Sequence, residues 1–266
     1  MMKMTIFGAT AVGVGLAVGG VKSGHAEADL ISAGTGYQPE QPVQLALRLK
    51  LDKGWHSYWL NPGDSGMPVS IEWSLPDGWA AGPLLYPVPE RFSTSGAVGF
   101  GYADEVVMPV FLTPGPDATG QVVVSAKVDW LTCDDAACVP GSAELKLELE
   151  EGVGKPTSEA DEIDEAFEGV PQPLAGAQMT VASGEDDLVL GITLPDSVNG
   201  EGAELIAATP NVADVSKKVI LGPSNDGWKV TLPKHEYLEA DPKELDVLLI
   251  GGELKKPLML SWKAEK

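Results

Sequence analysis

Val43-Gln-Leu-Ala-Leu-Arg-Leu-Lys-Leu51 carries an apolar residue at every second position, with Gln44, Arg48 and Lys50 between them. Successive side chains of an extended chain point to opposite faces, so this stretch reads as a strand with one face in a core and the other toward water. Strands are predicted to follow at 69–73, 106–112, 122–131 and 143–149. Asn61-Pro-Gly-Asp64, Leu75-Pro-Asp-Gly78 and Pro114-Gly-Pro116 punctuate them as turns. The 31 Gly and 21 Pro of the chain agree with many short strands and turns. This spacing predicts an all-β fold of immunoglobulin-like β-sandwich domains.

The second half repeats the pattern. Leu188, Leu190 and Ile192 alternate, as do Leu258, Leu260 and Trp262, and 228–232 and 246–250 are further strand candidates. Between the halves lies an acidic stretch with a short helix expected over 158–167, Ser158 as its N-cap and Gly169 at its end. The expected organisation is a leader over 1–28, a first domain over 29–152, an acidic linker over 153–173 and a second β-sandwich domain over 174–266.

The leader is read from Lys3, an uncharged Gly/Ala-rich run from Thr5 to Val21, and Ala26-Glu27-Ala28, which fits the A-x-A cleavage pattern; Gly24-His25-Ala26 fits it more weakly. An exported chain is therefore expected, periplasmic and without stable membrane insertion once the signal is removed. The formal charge of −21 opposes binding to nucleic acid or anionic lipid.

Only two cysteines occur, both in Trp130-Leu-Thr-Cys-Asp-Asp-Ala-Ala-Cys-Val-Pro-Gly141. Val122, Val124, Ala126, Val128 and Trp130 share one face before them; Ala143, Leu145, Leu147 and Leu149 share one after them. Cys133 and Cys138 thus close the end of a predicted hairpin, where facing residues have the separation a disulfide needs. Three chemistries remain open for the pair. A structural bridge over so short a loop restricts little of the unfolded chain, about 2 kcal/mol by loop entropy. Two thiolates suit a soft ion such as Cu(I), whereas zinc wants further ligands, of which His56 is the one plausible neighbour in type. An accessible redox pair is the third. Asp134 and Asp135 directly follow Cys133, and negative charge destabilises a thiolate, so the dithiol form should give up electrons readily. No C-x-x-C opens a helix, which excludes a thioredoxin-type site.

Gly54-Trp-His-Ser-Tyr-Trp-Leu-Asn-Pro-Gly-Asp-Ser-Gly-Met-Pro68, Tyr86-Pro-Val-Pro-Glu-Arg-Phe92, Gly99-Phe-Gly-Tyr102 with Val106-Val-Met-Pro109, and Asp129-Trp-Leu-Thr-Cys133 through Cys138-Val-Pro-Gly141 resemble the amino-terminal periplasmic domain of DsbD/ScsB-type thiol–disulfide reductases. The resemblance runs in order over residues 29 to 150. It implies a domain that takes electrons from a membrane electron-transfer protein of DsbD/CcdA type and passes them to exported thioredoxin-like proteins, with no organic cofactor and no metal. It implies Cys138 as the cysteine that forms the mixed disulfide and Cys133 as the resolving one. It also implies a cap loop over the pair, here Pro89-Glu-Arg-Phe-Ser-Thr-Ser95, with Phe92 as the cap, and site-lining residues at Glu90, His56 and Tyr58. The family's transmembrane and terminal thioredoxin-like domains have no counterpart in these 266 residues, so the electron source is expected to be a separate protein. The competing expectation is a two-domain immunoglobulin-like binding or copper-handling protein, its cysteines structural or metal-ligating.

Overall fold

A computed structural model describes residues 20–94 and 96–264. The first domain contains β1 (Val21–Ser23), β2 (Ala26–Ser32), β3 (Gly36–Tyr37), β4 (Val43–Leu51), β5 (His56–Gly63), β6 (Ser70–Ser74), β7 (Ala80–Ala81), β8 (Glu90–Thr94), β9 (Ala97–Ala103), β10 (Glu105–Thr113), β11 (Val122–Cys133) and β12 (Cys138–Glu151). One sheet has the order β1-β2-β4-β10-β7 and the other β3-β12-β11-β5-β9-β8, with β6 also on β11. The alternating leucines of β4 supply the core: Leu45, Leu47 and Leu49 are fully buried with Met108, Leu112, Trp59 and Trp130. The fold is an immunoglobulin-like sandwich, as the alternation predicts.

Residues 1–19 of the expected leader lie outside the described residues. Positions 20–28 do not stand apart from the domain. Val21–Ser23 pairs with β2, and β2 pairs with β4 from Ala26 onward. Ala26 and Ala28 are both buried, so the expected boundary after residue 28 falls inside a paired strand.

The helix α1 runs over Ala160–Gly169, two residues later than expected. Glu159, not Ser158, occupies the N-cap, without a side-chain cap bond. The Thr157 hydroxyl accepts the Glu159 N–H at 3.3 Å, so the local turn is made one residue before Ser158. The helix also does more than connect. Ile163 is fully buried against Ile31 and Ala46 on the outer face of the first sheet, and Phe167 stacks on Phe111 with ring centroids 4.5 Å apart. Arg48, an outward residue of β4, reaches Glu162 at 3.0 Å and Asp29 at 3.2 Å.

The second domain contains β13 (Gln172–Pro173), β14 (Gln178–Ser183), β15 (Asp187–Thr193), β16 (Glu204–Ala207), β17 (Val219–Ile220), β18 (Gly222–Ser224), β19 (Gly227–Pro233), β20 (Glu244–Ile250) and β21 (Leu258–Lys263). Its sheets have the orders β13-β21-β20-β16-β17 and β14-β15-β19-β18 around a second core that includes Leu188, Leu190, Leu245 and Val247. The two domains share apolar contact: Ile206, Ala208, Val215 and Leu248 of the second belong to the buried cluster of the first.

Candidate functional site

The site lies at the end of the β11–β12 hairpin. These strands pair in unbroken register from Val122 opposite Leu149 to Cys133 opposite Cys138. The two cysteines are joined as a disulfide. Their Cα atoms are 4.1 Å apart, the close spacing of a directly opposed antiparallel pair. Asp134 closes the loop: its carboxylate accepts the Ala136 and Ala137 N–H groups, each at 2.8 Å. Those donors hold the Asp134 carboxyl below the usual carboxylate range, so its charge persists beside the cysteines.

The two sulfurs sit in different surroundings. Cys133 is fully buried, whereas Cys138 is exposed. Tyr58 of β5, itself buried, donates its hydroxyl to Cys133 Sγ at 2.9 Å. Burial pushes the Tyr58 phenol up, which keeps it a proton donor through the neutral range. His56 begins β5 directly opposite Cys133. Burial lowers the His56 pKa, partly offset by Asp135 and Asp134, so the imidazole is neutral at neutral pH. Its Nε2 is buried without a hydrogen-bond partner among the described residues.

Phe92 covers this cluster. It stands on β8, the edge strand, with its ring centroid 3.8 Å from that of His56 and 5.8 Å from that of Tyr58. Phe92 pairs with Gly99 of β9, and a Cβ at Gly99 would lie 2.3 Å from Phe92 Cε2. A glycine is therefore what lets the ring lie down on the strand beneath it. Gly66 does the same under Tyr58, where a Cβ would lie 2.2 Å from the ring.

Of the residues expected from sequence, Cys133, Cys138, His56, Tyr58 and Phe92 are brought together. Glu90 is on the same strand as Phe92 and is exposed. The Asp64 carboxylate accepts the Val98 N–H at 2.8 Å. Trp59 and Trp130 are core residues. His25, placed in the leader by sequence, instead sits at the β1–β2 turn, stacked on Trp55 with centroids 3.7 Å apart and 3.0 Å from Asp52. That turn abuts the cysteine hairpin, because the Thr132 hydroxyl donates to the Gly24 carbonyl. Sequence reasoning also passed over Gly99, although a glycine inside a strand is a signal of close approach. Among the described residues, no group of three or more His, Cys, Asp or Glu side chains is arranged to hold a metal ion. No helix among them is long and apolar enough to cross a membrane.

Residues 27–150 match the family described as thiol:disulfide interchange protein DsbD, N-terminal. The N-terminal periplasmic domain of ScsB from Proteus mirabilis has a similar structure: 18% identity, TM-score 0.64, 91% of this chain and 94% of that one covered. At that identity the likeness concerns the fold, and it spans both domains. The YadV chaperone also aligns, at 12% identity and a TM-score of 0.23, over 89% of this chain and all (100%) of that one. No curated protein matches the chain.

Proposed function

We propose, from the premise that residues 27–150 form a thiol–disulfide interchange domain of the DsbD amino-terminal family, that the chain is an exported carrier of reducing equivalents between a membrane electron-transfer protein and thioredoxin-like proteins. In the reduced carrier, the Cys138 thiolate attacks the disulfide of an oxidised partner. A mixed disulfide forms and the partner's other sulfur leaves as a thiolate. Cys133 then attacks Cys138 Sγ, forming the Cys133–Cys138 disulfide and releasing the partner as a dithiol. Two electrons and, after protonation, two protons have passed to the partner. A membrane dithiol donor recharges the pair by the same exchange in reverse.

The observation that carries this reading is the asymmetry of the pair: Cys138 is exposed, whereas Cys133 is fully buried beside the Tyr58 hydroxyl. An incoming disulfide meets Cys138 first, and Cys133 is left where only its bonded neighbour can reach it. The Tyr58 hydroxyl supports the second step, since a hydrogen bond to the Cys133 thiolate lowers the cost of forming it. The charges of Asp134 and Asp135 act against a stable thiolate and so favour donation of electrons over their retention.

Trapping on a non-reducing gel tests the assignment. Cys133→Ala, offered an oxidised thioredoxin-like protein, should accumulate the mixed disulfide, because nothing remains to resolve it. Cys138→Ala should form none. The reverse pattern would exchange the two roles, and capture by neither variant would remove the carrier reading.

A further inference from the structure

The second domain reaches the strand that carries the cap. Arg91 precedes Phe92 on β8, so the two side chains leave the strand on opposite faces. Phe92 lies on the cysteine side, against His56 and Tyr58. On the other side Arg91 passes over the Phe100 ring, its Cζ 4.7 Å from the centroid, and crosses into the second domain. There Nη1 donates to the Val215 carbonyl at 2.5 Å and Nη2 to Glu204 Oε1 at 3.0 Å. The ion pair is largely screened from water, with side-chain exposures of 20% for Arg91 and 13% for Glu204. A second tether holds another strand of the site: Asn61 of β5 donates to the Ala207 carbonyl at 2.7 Å.

We infer that Arg91 is a positioning residue and that the second domain, through Glu204 and the Val215 carbonyl, holds the edge strand β8 so that Phe92 stays packed on His56 and Tyr58, beside the buried Cys133. This rests on the reading of Phe92 as the cap of a thiol–disulfide carrier. Among the described strands β8 pairs only with β9, so no second hydrogen-bonded ladder opposes its lifting. A guanidinium fixed by two acceptors and a ring supplies that restraint from the opposite face. Loss of the restraint lets the strand, and with it the ring, leave the pair more often. The second domain, which has no cysteine of its own, thereby acts on the redox site from a distance.

The test is the rate at which dithiothreitol reduces the Cys133–Cys138 disulfide in the full chain, with the equilibrium reduction potential measured beside it. Glu204→Lys, which sets a like charge against Arg91, should raise the rate roughly fivefold and leave the potential unchanged. Glu204→Gln, which keeps the shape and one acceptor, should raise it less and serves where the lysine variant does not fold. Phe92→Ala should be at least as fast, and adding Glu204→Lys to it should give no further gain, because both act through the same ring. Lys218 pairs with the other oxygen of Glu204 at 3.4 Å, on the side away from the Arg91 bond to Oε1, so Lys218→Met should leave the rate at its wild-type value. Unchanged rates in both Glu204 variants, a multiplicative effect in the double variant, or an equal acceleration in Lys218→Met would each overturn the inference. Dithiothreitol is not a partner protein. Failure to trap a thioredoxin-like protein would therefore end the carrier reading and leave this rate comparison standing.

Discussion

His56 shows how the surroundings of one side chain set its effect on stability. Its imidazole is wedged between the Cys133 strand and the Phe92 ring, and burial depresses its pKa. A base with a depressed folded-state pKa binds fewer protons folded than unfolded. Between the ordinary value of about 6.5 and the lowered one, the unfolded chain therefore takes up the proton first, and stability rises with pH. The contribution is fully present above about pH 6.5 and is lost as pH falls toward the folded-state value. The carboxylates held low by backbone or side-chain donors, Asp129, Asp134 and Glu151, act only at more acidic pH. Thermal midpoints between pH 7 and pH 5 should accordingly fall less steeply for His56→Gln than for the wild type. Parallel curves would mean that the ring is protonated as easily in the folded protein as in the unfolded one.

At the scale of elements, two glycines of one strand separate the site from the frame. Gly99 and Gly101 both belong to β9, and each faces a tight approach. The atom nearest a Gly99 Cβ is on the Phe92 ring, whereas at Gly101 it is the Ser57 backbone carbonyl, at 1.8 Å. Gly99→Ala should therefore displace the cap and leave the sandwich intact, raising the alkylation rate of the reduced protein with little change in melting temperature. Gly101→Ala forces β5 and β9 apart and should cost several kcal/mol, enough to prevent normal folding. Equal thermal losses in the two variants would show that the ring cannot yield. These same strands are where sequence reading ran out. β4, β10, β11, β12, β15, β19, β20 and β21 are legible because half-buried strands alternate. β5, β8 and β9 are not, because glycine and aromatic residues there serve close packing at the site. Asn61-Pro-Gly-Asp64 reads as a turn, yet β5 continues to Gly63 past a register shift between Tyr58 and Gly63. The leader boundary is ambiguous in sequence for a related reason: small residues two apart satisfy both a cleavage motif and one face of a strand, and Ala26 and Ala28 are buried in β2.

For the whole molecule the question is whether two sandwiches behave as one. No alternation pattern reports an interface, so the contact between domains was illegible in sequence, although each core was not. Ile206, Ala208, Val215 and Leu248 join the first domain's buried cluster, and the polar contacts of Asn61 and Arg91 cross the same boundary. Buried apolar contact gives the interface its strength, while hydrogen bonds made by buried groups fix its register, since leaving one unmade costs more than making it gains. Asn61 is the sharper probe of the two polar contacts. It is 2% exposed, its Nδ2 donates to the Ala207 carbonyl, and its Oδ1 accepts the Gly63 N–H at 3.1 Å. Asn61→Ala strands an acceptor in one domain and a donor in the other, at a cost of about 1–3 kcal/mol. If the interface couples the domains, the wild type should unfold in a single calorimetric transition, and Asn61→Ala should lower its midpoint and broaden or divide it. Two transitions already present in the wild type, one of them unmoved by the substitution, would mean that the sandwiches unfold independently. The second domain could then restrain β8 only through Arg91, not through a shared cooperative core.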